Sequence, residues 1–206
     1  MLIGLTGLYC SGKNYIASLL EQRGFLVLDL DKLGYIAIEN KKADICAQYG
    51  EDIKNPDGSI NRRLLGDKVF GNKAQLAAME AIVHPEVNRL SEEWIKTHNN
   101  QQCVINAALL HKSVFFNQLD CIILVSAPLL HRLIRAKKRD KLSWAAVVKR
   151  FASQKQFTAQ YSAGNADIYK VENPGTEKPE SPPNSDPIRI KLELQIDAIV
   201  GKLGRE

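Results

Sequence analysis

A short apolar run that stops at a glycine-rich turn constrains this chain more than any other feature. Leu2 to Leu5 reads as a buried strand, Gly7 and the pair Gly12-Lys13 follow it, and a helical pattern opens at Asn14 with Ile16, Leu19 and Leu20 on one face. The spacing is that of G-x-x-x-x-G-K-[S/T], and strand, turn and helix are the context that gives it physical meaning. Glycines let backbone N–H groups curl around an anion, the helix N-terminus aims its positive end at the same point, and a lysine adds a full charge. Backbone groups from Leu8, Tyr9, Cys10, Ser11, Gly12 and Lys13 are therefore candidate phosphate ligands. The last motif position holds Asn14, where a serine or threonine hydroxyl would bind magnesium. An amide oxygen also binds a hard cation, with different geometry. The same spacing fits a strand–helix turn that binds nothing, so the rest of the chain has to decide.

The second apolar run, Phe25 to Leu28, ends in Asp29 and Asp31. Ligands of open α/β sheets gather at the carboxyl ends of strands, which makes both acids candidates; Asp31 as a mere cap on a helix from Lys32 is the alternative. Residues 32–100 read as helices: 41–49, 61–70, and a long amphipathic stretch over 74–98 that Pro85 is expected to bend or restart. A turn at Asn55-Pro-Asp-Gly58 separates the first two. Strands return at Cys103–Asn106, Cys121–Val125 and Asp167–Val171, with helical patterns from Pro128 to about Arg139, over 142–156 and over 188–203. Five of the eight prolines fall in 174–187, a composition that reads as a surface loop.

At 206 residues, 45% hydrophobic and 25% charged, the chain suits one soluble domain, alone or with a small appended subdomain. No apolar run is long enough for a membrane span, and Met1 leads directly into the first strand without a signal peptide. Cys10, Cys46, Cys103 and Cys121 form no C-x-x-C pair and read as reduced thiols of a cytoplasmic protein. Cys10, beside the candidate phosphate site and a lysine, is the one expected to be reactive. The net charge of +5 fits a polyphosphate ligand or nucleic acid. The basic stretch from Arg132 to Arg150 offers only Trp144 and no run of interleaved aromatics, which argues against nucleic acid. Trp94 and Trp144 read as packing residues.

The order of these pieces resembles the dephospho-coenzyme A kinases. The resemblance runs from residue 2 to about 175 and rests on Leu5-Thr6-Gly7 with Ser11-Gly12-Lys13, Asp29-Leu30-Asp31, Asp57-Gly58-Ser59-Ile60-Asn61-Arg62, Ile82-Val83-His84-Pro85, Leu109-Leu110, Arg139-Asp140, Arg150, Gln154 and Asn173. It implies an α/β, three-layer P-loop kinase fold: a core of 1–31, 100–128 and 163–206, a helical acceptor-binding insert over 32–99, and a helical lid over 129–162. The implied reaction is transfer of a phosphoryl group from ATP, with Mg2+, to the ribose 3′-hydroxyl of dephospho-CoA. The implied partners are small molecules, with neither nucleic acid nor membrane, and no oligomeric state follows.

The resemblance also implies roles. Asp31 is the general base, Lys13 neutralises the β- and γ-phosphates, and Arg139, with Arg135 as a further candidate, closes over the transferring group. Asn14 takes the metal position, Asn173 belongs to the loop holding the adenine, and Asp29, Arg62, His84 and Arg150 serve the acceptor and the lid. The sequence departs from the family pattern near the chemistry. Gly-Gly-Ile-Gly becomes Gly7-Leu8-Tyr9-Cys10, Asn14 replaces a hydroxyl, and Asn106 and Lys112 stand where acids are usual. A nucleotide-binding homologue with weakened catalysis, and a kinase for another small-molecule hydroxyl, are the alternatives these departures leave.

Overall fold

The computed structural model describes residues 1–140, 143–152, 161, 166–175 and 187–203, except for the side chains of residues 145, 149 and 150. The described chain forms two compact units: Met1–Val27 with Asn100–Glu206, and Leu28–Asn99.

The first unit is built on strands β1 (Leu2–Gly7), β2 (Leu26–Asp29), β3 (Cys103–Asn106), β4 (Cys121–Ser126) and β5 (Asp167–Glu172), in the order β2-β3-β1-β4-β5. Ile3 lies between Val104 and Cys121, and Leu5 between Asn106 and Ile123, with both pairings parallel. Apolar runs with no alternation suit such strands because both sheet faces are covered. On one face, Ile3, Leu5, Val104, Ile123 and Val171 pack against Ile16, Leu19 and Leu20 of α1 (Lys13–Glu21) and against Leu192 and Ile196 of the last helix (Pro187–Leu203). Each such side chain, fully withdrawn from water, contributes about 1.5–3 kcal/mol. The chain leaves β1 toward β2 and β3 on one side and comes back to β4 on the other. The carboxyl end of β1, where Gly7 lies, is thus the switch point at which ligands of such sheets bind.

The second unit is helical: α2 (Leu30–Asn40), α3 (Lys42–Tyr49), α4 (Arg62–Val69) and α5 (Lys73–Thr97) enclose a core of Ala37, Ile45, Ile53, Leu65, Val69, Met79 and Val83. Each of α2, α4 and α5 starts on a side-chain cap, from Asp29, Asn61 and Asn72 respectively. Two points that the sequence left open are decided here. Asp29, not Asp31, caps the helix, which begins at Leu30. Pro85 does not interrupt α5. The buried stripe of Met79 and Val83 continues past it through Val87 and Leu90, and Glu86 is tied at once to Asn40 and Arg89, so packing on both sides outweighs one missing N–H bond.

The first unit continues after β4 with α6 (Leu129–Asp140) and α7 (Trp144–Ala152), and closes on α8 (Pro187–Leu203). Trp144 is 56% exposed, with the Lys137 ammonium 5.4 Å from its ring centre, so it is not the packing residue expected. Most of the expected proline-rich loop, residues 176–186, and Gln154 lie outside the described residues.

Candidate active site

The turn between β1 and α1 is held from outside. Three successive carbonyls accept side-chain donors: Tyr9 from Arg132 Nε at 2.8 Å, Cys10 from Arg135 Nη1 at 3.2 Å, and Ser11 from Asn173 Nδ2 at 2.8 Å. The Leu8 and Ser11 N–H groups donate within the protein, to Val125 and Leu8. Those of Cys10, Gly12 and Asn14 donate to no acceptor among the described residues. Unlike α2, α4 and α5, α1 begins at Gly12 without a side-chain cap. Its first-turn donors and its positive end are thus left for an anion. The buried Ser11 hydroxyl also has no hydrogen-bond partner among the described residues. Lys13 opens the helix at this point.

The rim of the turn is cationic. A cavity of about 350 Å³ is lined by Cys10, Gly12, Arg135, Lys138 and Arg139. Arg139 pairs with Asp140 at 2.7 Å and stands 5.3 Å from the Tyr9 ring centre, while the Tyr9 hydroxyl donates to the same carboxylate. Its hydrogen bond to Asp140 holds Arg139 above the ordinary arginine value, so it stays charged. Arg132, which no sequence signal singled out within its basic run, is buried under the Phe151 ring at 4.7 Å. The Cys10 thiol is pushed up by burial, against the pull of Arg139, Arg132 and Arg135, which argues against the expected reactivity. Asn173 is buried with its amide committed to the loop: besides Ser11, its oxygen accepts from the Gly175 N–H at 3.0 Å. The side chain of Arg150 lies outside those described.

Where a metal would be managed, two amides meet. Asn106, buried at the end of β3, donates its Nδ2 to Asn14 Oδ1 at 3.3 Å. No cluster of three or more His, Cys, Asp or Glu side chains suited to a metal occurs among the described residues. A neutral amide oxygen fits a magnesium ion already held by nucleotide phosphates and water, and does not amount to a protein cage for it.

The second unit carries its own cavity, of about 660 Å³. Asp31, Arg62, Arg63 and His84 give it charged and polar groups, and Val69, Phe70, Leu76 and Met79 give it an apolar wall. Asp31 is exposed in the first turn of α2, and Asp29 Oδ1 accepts from the N–H groups of Asp31 and Lys32 at 3.0 and 3.1 Å. Asp29 therefore fixes the backbone that presents Asp31. The Arg62 guanidinium stacks over the Tyr35 ring at 4.1 Å, and His84 is exposed on α5 just before Pro85. Structure thus brings Asp31, Arg62 and His84 to one cavity, and Lys13, Asn14, Arg139 and Asn173 to one loop.

A family model described as dephospho-CoA kinase matches residues 1–176. The chain belongs to the dephospho-CoA kinase family. A dephospho-CoA kinase of Treponema denticola is 33% identical over 184 residues, covering 84% of this chain and 82% of that one. One of Thermus thermophilus is 36% identical over 154 residues, 75% of each chain. Among solved structures, TT1252 from Thermus thermophilus is 30% identical with a TM-score of 0.78, covering 98% of this chain and 97% of that one. A dephospho-CoA kinase from Campylobacter jejuni shares the fold, with a TM-score of 0.62 at 19% identity. This member of the dephospho-CoA kinase family carries a side chain at position 10 where its backbone φ is 60°, a conformation that favours glycine.

Proposed function

We propose that this chain transfers the terminal phosphoryl group of ATP to the ribose 3′-hydroxyl of dephospho-CoA, completing coenzyme A. One observation carries the reading. In a chain of this kinase family, an uncapped helix start offers the N–H groups of Cys10, Gly12 and Asn14 beneath a cationic rim. Phosphoryl transfer asks for positioning and charge neutralisation more than for covalent chemistry, and that arrangement supplies both.

In this reading the loop from Leu8 to Asn14 grips the phosphates. Gly12, Cys10 and Asn14 donate from the backbone, Leu8, Tyr9 and Ser11 set the curvature, and Lys13 adds charge. Asn14 contributes an amide oxygen to Mg2+, which neutralises phosphate charge when bound. Arg139 leaves Asp140 for the transferring phosphoryl group, and Arg150 occupies a second lid position within 129–162. Asn173 acts on the nucleotide through the loop it braces. The helical segment 32–99 receives the acceptor. There Asp31 removes the 3′-hydroxyl proton, a step of about 10²–10⁴-fold in such reactions, and Asp29 sets its backbone. Arg62 and His84 hold acceptor phosphates, and the apolar wall suits the pantetheine arm. Free cysteines and the lack of any described helix long and apolar enough to cross a membrane agree with a cytoplasmic enzyme.

A coupled ADP-release assay with dephospho-CoA, nucleosides and shikimate as acceptors tests this. Only dephospho-CoA is turned over, and Arg62→Ala raises its KM without moving that of ATP. Equal turnover of another hydroxyl compound would overturn the acceptor assignment.

A further inference from the structure

Cys10 is the one described residue other than glycine with positive φ, at 60°. For an L-residue the left-handed conformation is disfavoured, and it persists only where the surroundings over-determine it. Here the surroundings are two arginines of α6. Arg135 donates Nη1 to the Cys10 carbonyl, and Arg132 donates Nε to the Tyr9 carbonyl just before it. The Arg135 guanidinium lies close against the backbone of two glycines. A Cβ at Gly175, whose φ is 93°, would lie 2.0 Å from its Nη2, and a Cβ at Gly12 would lie 2.2 Å from Asn173 Nδ2 and 3.8 Å from Arg135 Nη1. Nη2 also reaches Asn173 Oδ1 at 3.5 Å. Glycine at 12 and 175 thus lets Arg135 and Asn173 reach the backbone of a loop that has lost glycine at 10.

We propose that Arg135, supported by Arg132, is a positioning residue that locks the left-handed backbone at Cys10, so that this non-glycine loop keeps its N–H groups aimed at the nucleotide phosphates. The inference rests on the reading of residues 8–14 as the ATP-binding loop. It makes Arg135 act through Cys10 and not by touching the nucleotide. Its guanidinium donates to the Cys10 carbonyl and the Asn173 amide oxygen, and it lines the rim cavity beside Arg139 and Lys138. Removing Arg135 frees the Cys10 backbone to relax toward negative φ. Placing glycine at position 10 removes the reason to relax.

The test is a double-mutant cycle of the full chain: the parent, Cys10→Gly, Arg135→Gln and the double variant, read by calorimetric ATP affinity and by KM and kcat. Arg135→Gln weakens ATP binding about tenfold in the parent and only about twofold in the Cys10→Gly background, and the KM for ATP rises more than kcat falls. Equal losses in both backgrounds would mean that Arg135 meets the nucleotide directly or supports the fold alone, and would overturn the inference. No loss in either would do the same. If Arg135→Gln does not fold, by circular dichroism, Arg135→Lys replaces it in the cycle with the same two outcomes. A parent that binds no ATP would count against the ATP-loop reading itself and is seen before any variant is compared.

Discussion

Asn106 hands its side-chain N–H to the oxygen of Asn14, so the position proposed to meet magnesium holds two neutral amides in contact. Magnesium favours anionic oxygen and keeps its water reluctantly shared. Asn14→Ser, or Asn106→Asp, is expected to lower the magnesium concentration needed for half-maximal ADP release, the second change by adding a carboxylate. Nucleotide-dependent magnesium binding, followed by calorimetry, moves in the same direction. Superimposable metal titrations for the parent and both variants would show that the pair has no part in metal handling.

The thiol in the loop should be quiet. Burial raises the Cys10 value despite three arginines nearby, and alkylation proceeds through the thiolate. Iodoacetamide is expected to label Cys10 more slowly than a free cysteine at pH 7, with the rate rising as the pH is raised. Peptide mapping of the folded protein checks the site. Rapid labelling at neutral pH would contradict the electrostatics described here.

The helical unit contains an acid-sensitive clamp. Hydrogen bonds from Arg89 first, and Asn40 next, hold the Glu86 carboxyl at about 2. A depressed carboxylate stabilises the fold above its unfolded value of about 4.3, and that contribution disappears as the pH falls from there through about 2. Urea unfolding between pH 6 and pH 2.5 should therefore show a steep loss of stability that Glu86→Gln flattens, with the variant less stable at pH 6. Parallel profiles for the two proteins would assign the acid limb to other groups.

How much of this was legible in the sequence differs residue by residue. The five strands, the glycine turn and the strand-end position of Asp31 follow from apolar runs and short motifs, which are local signals, whereas Arg62 and His84 entered only through the family resemblance. The capping role of Asp29 is local too, but competes with Asp31 two residues on, and only the backbone decides between them. Pro85 misled because its effect on α5 depends on partners distant in sequence, Asn40 among them. Arg132, and the contact of the lid candidate Arg135 with the loop backbone, were hidden for the same reason. A run of basic residues on a helix looks solvated until the carbonyls of residues 9 and 10, more than 120 positions away, are placed against it. Trp144 failed in the opposite sense, since its helical spacing suggested packing and it lies at the surface under a lysine.

In the proposed reaction the carboxylate at position 31 takes the acceptor's proton. Steady-state turnover of ATP and dephospho-CoA by Asp31→Asn, measured beside calorimetric ATP binding, tests it most directly. A fall in kcat of about 10²–10⁴-fold with ATP affinity unchanged is expected. Turnover equal to that of the parent would remove Asp31 as the base.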